Sequence, residues 1–115
     1  MAFNDLDKKR IERAMESFLA KRRPPPHIRP ELDIGYCLLE QSVEIQEIRP
    51  EWNDKSIIHE YPIAKATYIS TQNVWKVFWK RADLKWHGYK PDSTVTTIED
   101  FLKVVDADEY GCFWG

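Results

Sequence analysis

The stretch Val74–Tyr89, V-W-K-V-F-W-K-R-A-D-L-K-W-H-G-Y, decides how the fold is read. It holds three of the chain's five tryptophans. Its first half alternates lysine with apolar residues, and period two is the signature of a strand with two unlike faces. Trp75, Val77 and Trp79 point one way, while Lys76, Phe78 and Lys80 point the other. The first set suits a core. The second places one aromatic ring between two cations.

On either side of this strand the pattern repeats. Leu32–Leu39 and Ser42–Arg49 alternate and are separated by Glu40-Gln41, which predicts a hairpin. Pro62–Ser70 predicts a third strand, joined to Val74–Arg81 by the turn Thr71-Gln72-Asn73, with Asn73 suited to a left-handed position. Leu84–Tyr89 predicts a short fifth strand. Between the second and third strands, Glu51–Tyr61 reads as polar and irregular, with Trp52 as an anchor on the body.

A helix is expected at each end of the chain. Asn4 is an N-cap, Asp5 and Asp7 suit the first turn, and Lys21–Arg23 suit the last. Leu6, Ile11, Met15, Phe18 and Leu19, with Ala14 beside them, form the apolar stripe. Pro24-Pro25-Pro26 ends the helix, and Pro24–Pro30 reads as a stiff connector. Thr96 and Glu99 have capping-box spacing ahead of a second helix over 97–106, with Ile98, Phe101, Leu102 and Val105 as its stripe. Phe113 and Trp114 are expected to dock back through a turn at Gly111. Short links between successive strands argue for antiparallel pairing. The expected fold is a single α+β domain over residues 1–115, two-layered, in the order α-β-β-β-β-(β)-α.

The chain has 115 residues and a formal net charge of −2, which hides strong segregation. Residues 1–30 carry +4, 31–62 carry −6, 63–91 carry +5 and 92–115 carry −5. Such blocks make patches of one sign, or neutralise each other across neighbouring elements. No apolar run approaches a membrane span, and the N-terminus lacks the apolar core of a secretory signal, so a cytoplasmic protein with no membrane partner is expected. Cys37 and Cys112 read as buried, reduced small hydrophobes rather than a disulfide.

Three functional readings follow. The leading one is a non-catalytic protein-interaction module, with another protein or a second copy as partner through a sheet face or edge. The next is a nucleic-acid-binding module. Aromatics among lysines suit bases that stack and phosphates that need cations. Its residues are Lys76, Phe78 and Lys80, extended by Lys85, His87 and Tyr89 if the fifth segment pairs with the fourth strand. The third is a metal-dependent hydrolase using Glu44, Glu47 and Asp83, although the E-x-K spacing of restriction-type nucleases is absent after Glu44. His27, His59, His87 and the two cysteines lack the short paired spacing of a structural zinc site, so no metal or cofactor is expected. No nucleophile motif occurs. Arg49, before Pro50, and Arg81, with Asp83, are each expected to make a structural bidentate pair at a strand end.

Five segments together carry a family resemblance: K-R-R-P-P-P-H-I-R (21–29), S-V-E-I-Q-E-I-R-P-E-W (42–52), P-I-A-K-A-T-Y (62–68), Val74–Tyr89, and V-V-D-A-D-E-Y-G-C-F-W-G (104–115). From about residue 8 to the end the chain resembles the bacterial family called domain of unknown function 3024. The resemblance implies a small bacterial single-domain protein. It implies no activity and no functional residues.

Overall fold

The computed structural model describes residues 3–114. Helix α1 spans Asp5–Arg22 and α2 spans Ile98–Ala107. Between them run β1 (Asp33–Leu38), β2 (Ser42–Pro50), β3 (Ile58–Ile69), β4 (Val74–Lys80), β5 (Trp86–Gly88) and β6 (Thr94–Val95). The strands form one antiparallel sheet in chain order, β1 to β5. β5 and β6 share the free side of β4, with a 3-10 turn at Lys90–Asp92 between them. The Tyr89 N–H donates to the Val77 carbonyl and the Val77 N–H to the Ser93 carbonyl, which stitches the interrupted edge to β4. The fold is α+β in the expected order.

The helix ends follow their sequence signals. Asn4 Oδ1 accepts the Asp7 N–H at 2.8 Å. Arg23, ahead of three prolines, is extended as its neighbour's ring requires. Pro24–Pro30 is not a stiff extended connector. Ile28 and Arg29 donate to the Pro25 carbonyl, and Glu31 and Leu32 to that of Ile28, so the segment coils into consecutive turns. The cap of α2 is Thr97 rather than Thr96, its Oγ1 accepting the Asp100 N–H at 3.1 Å.

Both helices cover one face of the sheet. Ile11, Met15 and Phe18 of α1, and Ile98, Phe101, Leu102 and Val105 of α2, share one core with Ile34, Val43, Ile45, Ala64, Ala66, Trp75 and Val77. Burying each larger side chain contributes roughly 1.5–3 kcal/mol. Ala64 and Ala66 lie at the middle of the sheet, fully buried beneath the helical layer. Leu6 is not part of this core: it is 78% exposed. Five positions before Ile11, at about 100° per residue, it lies on the far side of the helix. Phe3 fills that end instead, its ring centroid 5.6 Å from that of Trp75.

The C-terminal tail completes the covering layer. Asp108 is left-handed at φ 41°, and its two carboxylate oxygens accept the N–H groups of Phe113 (3.1 Å) and Trp114 (3.0 Å). Phe113 then meets Tyr89 at 4.8 Å between ring centroids, and Trp114 Nε1 donates to the Val105 carbonyl.

The largest departure from the sequence reading lies between β2 and β3. β3 begins at Ile58, inside the segment expected to be irregular. β2 and β3 pair as far as Pro50–Ile58, with an irregularity that leaves Ile63 unpaired. β4 pairs β3 only as far as Ala64, so Ile58–Ile63 have β2 alone beside them. The result is a projecting hairpin arm. Trp52 sits in its tip and is 89% exposed, so it anchors nothing on the body.

Candidate binding face

The face of the sheet away from the helices is built by strand alternation. β3 and β4 pair Lys65 with Phe78 and Thr67 with Lys76. β4 and β5 pair Phe78 with Gly88 and Lys80 with Trp86. Paired residues share a face, so Lys65, Lys76, Phe78, Lys80 and Trp86 form one surface. Further along, Glu44 stands opposite Lys65 and Ser42 opposite Thr67, the two hydroxyls 2.7 Å apart.

Two of the three cations of this surface are aimed at its rings. Lys65 Nζ lies 5.1 Å from the Phe78 centroid and 4.9 Å from that of Trp86. Lys80 Nζ lies 5.1 Å from the Trp86 centroid. These are cation–π distances, worth about 0.5–1 kcal/mol at exposed sites. Among the described residues, none of Lys65, Lys76 and Lys80 makes an ion pair. Phe78 and Trp86 are partly exposed, and Lys76 is exposed. The arrangement offers flat π surfaces beside three ammonium groups without carboxylate partners.

The expected extension through Lys85, His87 and Tyr89 takes another course. Lys80 pairs with Trp86 and Trp79 with His87, so His87 belongs to the helix-covered side. Tyr89 is buried in the core, and burial pushes its phenol above the usual tyrosine range. Lys85 lies in the β4–β5 turn, its N–H donated to Asp83 Oδ1 and its carbonyl accepting the Arg81 N–H. The sequence reading missed Lys65 and Trp86, which the pairing register reveals.

Asp83 meets His87, not Arg81. One of its oxygens is 2.8 Å from His87 Nε2, and these two bonds hold its carboxyl below the ordinary range, the Lys85 N–H most strongly. Arg81 stacks on Trp79 instead, 5.6 Å from its centroid. A recess of about 430 Å³ beside His87 also touches Cys112. Burial, together with Asp108, pushes the Cys112 thiol up, which favours the protonated sulfur over the nucleophilic thiolate. Cys37 and Cys112 are both free.

The carboxylates offered for a hydrolase are not brought together. Glu44 pairs with Lys65 on the open face, whereas Glu47 pairs with buried Ile34 and points to the other side. Asp83 is held in the β4–β5 turn. Among the described residues no group of three or more His, Cys, Asp or Glu side chains could hold a metal ion. No helix among them is long and apolar enough to cross a membrane.

Fold and face together define a small α+β module, one side of its antiparallel sheet covered by two helices and a tail, the other open and studded with aromatics and lysines. The chain belongs to the family described as Domain of unknown function (DUF3024), whose match spans residues 3–115. No curated protein and no solved structure matches it.

Proposed function

We propose that the protein is a small non-catalytic binding module, bacterial and cytoplasmic, whose open sheet face takes single-stranded nucleic acid. The observation that carries this reading is the cluster of Phe78 and Trp86 among the unpaired lysines 65, 76 and 80, on a face that no helix covers. Bases stack on rings whatever their identity, and ammonium groups meet the phosphates between them. Glu44 marks where the cationic half of the face ends. Lys65 and Lys80, lying over Trp86, hold its ring in place until a base displaces them. The overall acidity of the chain opposes binding, and the +5 of residues 63–91 offsets it locally.

Titration of single-stranded RNA and DNA oligonucleotides, followed by fluorescence anisotropy, tests the reading. Three phosphate contacts predict an affinity falling with salt at a log–log slope of about −2. Trp86→Ala is expected to weaken binding by roughly 5- to 150-fold, the range of a lost stacking platform. A Lys76→Ala/Lys80→Ala protein that binds as tightly as wild type would remove this surface from consideration.

A further inference from the structure

The arm carries a second surface, which meets the open face at Lys80. Nine large hydrophobic residues are exposed among those described, and five of them lie on the arm or beside its root: Trp52, Ile57, Ile58, Tyr61 and Leu84. Concentrated exposure of this kind marks an interaction site, whereas scattered single residues do not. At the arm's root, where β3 runs on past the end of β4, lies a groove of about 450 Å³. Its apolar lining includes Tyr61, Ile63, Leu84 and Phe113, and its volume falls within the range of ligand sites. Tip and groove are complementary in charge as well as in polarity. The tip, residues 51–57, holds Glu51, Asp54 and one cation, Lys55. The groove holds Lys80, Arg81 and one anion, Glu60.

We infer that the occupant of the groove is the arm tip of a second copy of this chain, with Trp52 as the inserted side chain. One chain carries both the knob and the hole. Two arms laid antiparallel, with the unpaired Ile58–Pro62 edges side by side, put each tip at the other's root. The contact is then reciprocal, and a two-fold axis closes it as a dimer rather than a fibre. A buried tryptophan at the centre of each contact is the kind of residue that dominates an interface. Two such contacts plus the strand edges are needed to reach the roughly 1,000 Å² of a stable interface.

Sedimentation velocity over a range of concentrations tests this. Wild type is expected to dimerise reversibly, and Trp52→Ala and Leu84→Asp each to weaken the dimer at least about tenfold. Both side chains are more than three-quarters exposed, so thermal melts of the monomers are not expected to fall, and they serve as the folding control. Mixing the two variants restores one intact contact, Trp52 of the Leu84→Asp chain in the unaltered groove of the Trp52→Ala chain. A heterodimer tighter than either homodimer is therefore expected. Lys76→Ala, a substitution on the open face away from tip and groove, leaves the dimer intact. A wild-type protein that stays monomeric at several hundred micromolar, or a dimer indifferent to Trp52→Ala, overturns the inference while leaving the nucleic-acid reading untouched.

Discussion

The two faces of the sheet are made by the same strands and behave as different materials. On the covered face, Val43, Ile45, Ala64, Ala66 and Val77 are almost wholly buried and pack on two helices. On the open face the residues between them are Ser42, Glu44, Lys65, Thr67, Lys76 and Phe78, none of them fully buried. Stability comes from the first face, so the second is free to vary in chemistry without unfolding the chain. Phe78 and Trp86 are partly wet aromatics where a solvated face needs none. Grouped on one face, they are the feature on which the proposed binding role rests.

The sharpest way to break this comparison is to truncate one phenylalanine on each side. Phe101 is fully buried against the sheet, and Phe101→Ala is expected to cost about 3–5 kcal/mol in chemical denaturation. Phe78→Ala removes a partly exposed ring and its cation–π partner, and is expected to cost under about 1.5 kcal/mol. Equal losses would mean that the open face is a second core, covered by something in solution.

A middle-sized effect is expected at the tail, which completes the covered side. Asp108→Ala leaves a left-handed residue without its two acceptor oxygens, so the N–H groups of Phe113 and Trp114 lose their partners. The expected cost is about 1–3 kcal/mol, with the emission of Trp114 shifting to the red as its ring leaves Arg22, now 4.3 Å from it. Asp108→Asn keeps one acceptor and tolerates the left-handed turn, and is expected to fall between. On the other face, Glu44→Gln is expected to change stability by under about 0.5 kcal/mol while raising affinity for single strands, because it deletes the anion opposite Lys65. Unchanged or weaker oligonucleotide binding would show that this row lies outside the ligand's path.

The elements were legible because each carries a local signal, and the site was only half legible because its composition depends on register. Caps, the proline stop and the α2 stripe are all short-range. Which residues join Phe78 depends on loop length. Ile69 pairs with Val74, so the β3–β4 loop has four residues, Ser70–Asn73, not the three expected. With a three-residue loop Lys65 would fall opposite Trp79 and face the core, a placement its charge forbids. That argument was available from sequence. The parity of β5 was not, because the link Arg81–Lys85 turns through Leu84 at φ 62°, a conformation that an aliphatic residue rarely adopts and no propensity announces. The arm was hidden for a different reason. Its β3 half, I-H-E-Y-P, lacks clean alternation because one of its sides pairs and neither is covered.

A small effect of a different kind is expected where the open sheet meets α1. Asp33, at the start of β1, receives both Nε and Nη2 of Arg23 at 2.7 Å, the bidentate pair that the sequence reading had placed elsewhere. Arg23, more strongly than the Ile34 N–H, holds this carboxyl below the ordinary aspartate range. A carboxyl with a lowered folded-state pKa binds its proton more readily when unfolded. The pair therefore stabilises the fold at neutral pH, and its contribution falls away only as pH drops below about 4, the unfolded value, toward the lower folded one. Arg23 is well solvated, which keeps the effect small. Asp33→Asn is expected to lower Tm at pH 7 by no more than roughly 4 °C. The gap to wild type is expected to close as the melts are repeated at successively lower pH. A gap that persists unchanged into strong acid would assign the loss to the Ile34 N–H contact and strand geometry rather than to charge. A gap at neutral pH that shrinks when salt is added would assign it to the ion pair, because screening acts on charge and leaves the packed face beneath unaffected.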